Sequence, residues 1–173
     1  FLHVSAGTIE KYAGYFEDVY LVFFLKRFSF KVKEQEKSPR KVYAIDTGLC
    51  NCVGLRFSEN VGRLAENIVF LALKKKQEFN PDMELYYWKD QHQREVDFVI
   101  KNGTKTNGLI QVCWNLTDEK TRHRETRSLL KAMEEMDIDH AMIITDDYEA
   151  TENIKGSQIE YVSLWKWLLS NGQ

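Results

Sequence analysis

A chain of 173 residues with 43% hydrophobic and 13% aromatic side chains can pack a core of about one domain, which excludes a disordered chain. Its formal net charge of -2 argues against coating nucleic acid over its whole surface, yet leaves room for a local basic face. Three cysteines, Cys50, Cys52 and Cys113, form no C-x-x-C pairs and so exclude a zinc ribbon or disulfide scaffold. They fit reduced thiols in a cytoplasmic protein, and no apolar run approaches the ~18 residues of a membrane span.

The chain starts at Phe1, which suggests a piece of a longer or processed polypeptide. Residues 5–17 are expected to be helical, with Ser5 or Thr8 as N-cap and Ile9, Tyr12, Ala13 and Phe16 at helical spacing. Between Val19 and Phe30 the continuous apolar run Leu21 to Leu25 reads as a buried strand. Lys31 to Arg40, rich in Lys, Arg and Glu and carrying Pro39, reads as a solvated turn or tip. Lys41 to Asp46 reads as a second strand, closed by Thr47 and Gly48. A helix and a two-stranded ribbon with a charged tip are the back half of a winged helix, here over residues 1–48.

Val61, Leu64, Ile68, Leu71, Ala72 and Phe79 recur at helical spacing within Phe57 to Glu78, with Ser58 as N-cap and Lys74, Lys75 and Lys76 at the C-terminal end. Pro81 ends that helix. Glu84 to Lys89 is a strand by its aromatic content, and a polar turn from Asp90 to Gln93 leads into a hairpin from Arg94 to Trp114 that turns around Gly103. A helix from Asp118 to Met136, capped by Thr117 or Asp118, precedes short strands at His140 to Thr145 and Gln158 to Val162. Leu164 to Leu169 closes the chain as a helix. Two polar side chains, Asp97 and Gln111, stand mid-strand on neighbouring strands of the hairpin, where a carboxylate is costly unless paired or bound to a cation. Glu66 intrudes in the same way into the preceding helix.

This order resembles the restriction-endonuclease-like, or PD-(D/E)XK nuclease, fold: an α/β (α+β) core over 55–173 with a mixed sheet, in the order helix, three strands, helix, strand, strand, helix. Ser5 to Tyr20, Lys41-Val-Tyr-Ala-Ile-Asp-Thr-Gly48, Gly62-Arg-Leu-Ala-Glu-Asn-Ile-Val-Phe70, Tyr87-Trp-Lys and Arg94-Glu-Val-Asp-Phe-Val99 look like the C-terminal region of archaeal and bacterial AAA+ family ATPases. The resemblance implies a nuclease site at Glu66, Asp97, Gln111 and Cys113, with Mg²⁺ or Mn²⁺ held by Glu66, Asp97 and Gln111 for phosphodiester hydrolysis. Gln111 stands where active members carry an anionic ligand, and Cys113 where they carry a lysine whose charge is worth about 3 kcal/mol to the transition state. Lys89 or Arg94 are the candidate substitutes for that lysine.

The implied function is therefore a degenerate nuclease-like module that recognises DNA or a partner for an ATPase domain elsewhere in the same polypeptide. The alternatives are an active metal-dependent nuclease and an assembly domain, which could be a homodimer. No G-x-x-x-x-G-K-[ST] occurs, so no ATP site is expected in this chain. Each group also has a plain reading: Asp97 as an ion pair with Arg94 or a helix lysine, Glu66 as a surface partner of Arg63, Cys113 as a small buried hydrophobe, and Cys50 and Cys52 as loop cysteines. Lys74, Lys75, Lys76, Arg122 and Arg124 are either solvated helix ends or a phosphate-contacting face.

Overall fold

The computed structural model describes residues 4–49 and 61–171. The expected Ser58 cap, the helix start at Phe57, and Cys50 and Cys52 lie outside the described residues. Helix α1 (Ala6–Asp18) starts where the Ser5 hydroxyl accepts the Thr8 N–H, which satisfies one of the free donors of the first turn. Strands β1 (Val22–Leu25) and β2 (Lys41–Ala44) pair antiparallel, Phe23 opposite Tyr43. The charged tip between them is not wholly irregular: Val32–Lys37 forms a short helix, α2, supported by a Lys31–Glu34 pair and closed by Ser38, whose hydroxyl donates to the Glu34 carbonyl.

Next come helix α3 (Val61–Phe79), strands β3 (Met83–Lys89), β4 (Glu95–Asn102) and β5 (Lys105–Val112), and helix α4 (Glu119–Met136). Strands β6 (His140–Thr145), β7 (Ala150–Ile154) and β8 (Ser157–Ser163) and helix α5 (Leu164–Asn171) complete the chain. The sheet is mixed and six-stranded, in the order β3-β4-β5-β6-β8-β7, with β5, β6 and β8 parallel and the other neighbours antiparallel. Strand β7 is absent from the sequence reading; it is a polar edge strand, Ala-Thr-Glu-Asn-Ile, with no apolar run to announce it.

The sheet is covered on both faces. On one, Ala65, Val69, Phe70 and Leu73 of α3 and Leu164 and Trp167 of α5 pack with Leu85, Phe98, Ile110 and Ile144. On the other, Leu129, Ala132 and Met133 of α4 pack with Trp88, Val96, Val99, Leu109, Ile143 and Ile159. The N-terminal ribbon joins the first of these cores through Leu25 and Tyr43, the Tyr43 ring lying flat on Phe70 at 4.1 Å. Beyond β1 the chain adds backbone bonds to the sheet edge: Tyr87 N–H donates to Lys26 O at 3.0 Å, and Phe28 N–H to Tyr87 O at 2.6 Å.

Two local features aim the ribbon at β4. Asn67 of α3 is buried and grips Ala44 of β2 twice, accepting its N–H and donating to its carbonyl, each at 2.9 Å. In β4 the register slips, so that Asp97 and Phe98 stand opposite the single residue Tyr87. Such a bulge breaks the strict alternation of faces: Asp97 and Phe98 both turn toward α3, while Val96 and Val99 turn toward α4. Asn67→Ala removes both backbone contacts to β2 and is expected to cost about 1–3 kcal/mol. Urea denaturation reads that loss, and amide exchange at residues 41–45 should rise with it; unchanged exchange there would show that Asn67 does not hold the ribbon.

Candidate functional site

Strand β2 opens with Lys41, and alternation along a strand puts Lys41 on the same side as Tyr43, facing α3 and β4. Its ammonium lies 3.0 Å from Glu66 Oε1, 2.7 Å from Glu95 Oε1 and 2.7 Å from Asp97 Oδ1. The Tyr43 hydroxyl donates to Glu66 Oε1 at 2.7 Å, Lys89 Nζ reaches Glu95 Oε2 at 3.1 Å, and the Tyr87 ring lies 5.6 Å from the ammonium. The second Asp97 oxygen accepts the Val112 N–H at 2.9 Å. Three carboxylates from a helix and a strand thus converge on one ammonium supplied by the N-terminal ribbon.

The electrostatics follow from burial and from this count of charges. Burial alone would lower the Lys41 pKa, but Asp97, Glu66 and Glu95 hold it well above the ordinary lysine value. Burial alone would raise the Glu95 carboxyl, but Lys41 and then Lys89 hold it below its ordinary range. Asp97 is buried; burial raises it from 3.8 to about 7, Lys41 opposes that rise, and Glu66 adds to it. Tyr43 is driven up by burial and by Glu66, and so remains a neutral donor.

Glu66 and Asp97 therefore both reach the Lys41 ammonium, while the other residues implied by the resemblance go elsewhere. Gln111 turns toward α4: its Oε1 accepts the Asp97 N–H at 3.0 Å and its Nε2 donates to Glu125 at 2.9 Å. Cys113 belongs to the core under α4, where burial pushes its thiol up to about 12 and its Sγ faces the Asn115 carbonyl. Lys89 reaches the cluster only through Glu95, and Arg94 is tied to Asp90 at 2.5 Å. Asp97 is thus an ion-pair residue, but its partner is Lys41 rather than Arg94.

Lys41, Glu95 and Tyr43 are missing from the residues singled out in the sequence. The usable signals were the period-two spacing of Glu95 with Asp97 and of Lys41 with Tyr43. The basic residues fare differently. Arg122 is paired with Glu152 and Arg124 with Glu125 at 2.7 Å, and Lys74 bonds Gln77 at 2.9 Å. The lysines end α3 and the arginines lie on α4, across the sheet from one another, so the fold does not assemble one stripe from them.

A divalent cation does not fit these residues while Lys41 is in place. An ion touching the Glu66 and Asp97 oxygens would sit beside the ammonium, and like charges about 4 Å apart repel by roughly 4 kcal/mol per pair of unit charges at an effective dielectric near 20. The Gln111 amide is also committed at both ends. Among the described residues, no three His, Cys, Asp or Glu side chains are arranged to hold a metal ion.

The pH dependence of stability has a definite sign. The folded Asp97 carboxyl holds its proton more tightly than the unfolded one, so its contribution is present at low pH and is lost as pH rises through about 7. Glu95 acts oppositely, its contribution being present above 4.5 and lost as pH falls. The urea midpoint is therefore expected to fall between about pH 5 and pH 7, and Asp97→Asn to flatten that fall; equal slopes in both proteins would contradict this assignment.

Residues 61–167 match the family described as a domain of unknown function, DUF4143, and residues 1–60 match a second domain of unknown function, DUF8612. An uncharacterized protein of Methanocaldococcus jannaschii is 40% identical over 96% of this chain, and one of Haemophilus influenzae is 25% identical over 93%. The chain spans 37% of the length of each of these curated relatives. No solved structure matches. Among the described residues, no helix is long and apolar enough to cross a membrane. With the family match covering most of the sheet domain and its flanking helices, the chain belongs to the DUF4143 family.

Proposed function

We propose that this chain is a catalytically silent nuclease-like module of a longer, AAA+ type ATPase, and that it acts in nucleic-acid recognition. The observation that carries the reading is the Lys41 ammonium, held within 3.0 Å of Glu66, Glu95 and Asp97 in the gap where active PD-(D/E)XK enzymes would hold a cation. The order of α3, the β3 to β5 meander, α4 and parallel β6 supports a restriction-endonuclease-like core. Helix α1 and the β1–β2 ribbon support a partial winged helix before it. The 37% coverage of the relatives leaves ample length for an ATPase domain in such a protein.

The site's chemistry in this reading is electrostatic cohesion. Lys41 bridges the three carboxylates, Lys89 adds a second positive charge at Glu95 and Tyr43 donates a further hydrogen bond, so among the described residues the charged groups of the cluster are engaged with one another rather than with water or a leaving oxygen. Incubation with labelled DNA and Mg²⁺ or Mn²⁺ is expected to give no cleavage. Gel shifts are expected to show binding at about 10⁻⁴ to 10⁻⁶ M or tighter, weakening with salt. Metal-dependent cleavage abolished by Asp97→Ala would establish the active-nuclease alternative instead; absence of any salt-dependent binding would remove the nucleic-acid reading.

A specific observation favours a second reading, an assembly surface. Helix α1 buries none of its residues, and Ile9, Tyr12, Tyr15 and Phe16 are exposed along it, Ile9 by 60%, with Val19 and Tyr20 exposed just past its end. Apolar faces of this kind mark interaction sites. This reading expects light scattering to report a dimer that Phe16→Glu dissociates; a monomer that associates with nothing argues against it.

A further inference from the structure

The cations of this chain are unevenly placed. Residues 26–41 hold seven Lys and Arg against two Glu, in a chain of net charge -2. Of the seven, Lys26 is paired with Glu36 at 2.7 Å, Lys31 with Glu34 at 3.0 Å, and Lys41 is enclosed by the carboxylate cluster. Arg27, Lys33, Lys37 and Arg40 have no carboxylate partner within ion-pair distance among the described residues. This contrasts with Arg122 and Arg124, whose charges are met by Glu152 and Glu125.

Geometry gathers these four. Lys33 and Lys37 are one helical turn apart on α2, so they project from one face, and with Arg27, Glu34, Ser38 and Pro39 they line an open cleft of about 400 Å³, in which the Glu34 carboxylate is already engaged by Lys31 and Ser29. Arg27 is fixed there by donating to the Lys89 carbonyl, and Arg40 lies over the Phe24 ring at 4.6 Å. Phe30 is 69% exposed at the start of the tip, packed edge-on against Phe28 at 5.0 Å.

We propose that the cleft formed by Arg27, Lys33, Lys37 and Ser38 at the α2 tip grips the sugar–phosphate backbone of a nucleic-acid strand, with Arg40 beside it and the exposed ring of Phe30 available to a base. The assignment rests on the nucleic-acid reading above and names the surface that would carry it. Unpaired cations interleaved with an exposed aromatic ring suit phosphates and unstacked bases. An anionic bilayer is a poorer match, because α2 has no apolar residue after Val32 and so lacks the apolar face that an interfacial helix buries.

Fluorescence anisotropy with a labelled 20-nucleotide single strand and the matching duplex, titrated across salt, tests the assignment. Lys33→Gln with Lys37→Gln removes two phosphate contacts without touching a core residue. It is expected to weaken binding about 10- to 100-fold near 0.1 M salt and to reduce the slope of log K against log salt on the duplex by about two. Lys120→Gln with Lys155→Gln, exposed positions at the start of α4 and in the β7–β8 turn at the opposite edge of the sheet, is the control and is expected to leave both unchanged. If the wild-type chain binds and only the control pair weakens it, or neither does, the tip is not the contact face, although the nucleic-acid reading survives. If the wild type binds neither strand nor duplex, both fail. Binding to phosphatidylserine vesicles with no binding to either oligonucleotide would overturn the assignment in favour of a membrane surface.

Discussion

One ammonium group organises this molecule. Lys41 enters from a short ribbon that precedes the sheet domain and is shared among Glu66 of α3 and Glu95 and Asp97 of β4. Removing one partner of such a buried group leaves uncompensated charge and typically costs about 3–5 kcal/mol. That is a large fraction of an ordinary domain's net stability. The carboxylates would repel one another without Lys41, and the ribbon would lose its strongest polar attachment. Asn67 and the Tyr43–Phe70 stack set the strand that delivers the ammonium, and the β4 bulge turns Asp97 to receive it.

The same arrangement separates cohesion from recognition. The buried acidic cluster is locally satisfied by Lys41 and Lys89, so its charge is spent inside the protein. Four cations without a carboxylate partner among the described residues, Arg27, Lys33, Lys37 and Arg40, are gathered instead around α2, and a row of exposed apolar side chains lies along α1. A chain of slightly negative net charge can therefore still present a local basic surface, which is the possibility that its overall charge left open.

Much of the architecture was legible because apolar periodicity reports burial directly. The helix containing Glu66, the hairpin around Gly103 and the helix capped at Asp118 all follow from it. Strand β7 escaped because an edge strand needs no apolar run, and α2 escaped because local ion pairs support a turn and a half of helix without any hydrophobic face. Within the site, Asp97 and Glu66 were conspicuous as carboxylates in apolar surroundings. Lys41 was not, because a lysine at the start of a strand reads as solvated until a second element is known to cover it. Gln111 was misleading for a related reason: a bulge shifts which residues share a face, and single-strand alternation does not reveal it.

The central claim is that Lys41 itself is the cation of this cluster. Crystals of the chain soaked in Mn²⁺ and measured at the manganese absorption edge test it most directly. The account predicts Lys41 side-chain density between Glu66, Glu95 and Asp97 with no anomalous peak among them; a manganese peak bridging Glu66 and Asp97, with Lys41 displaced, would contradict it.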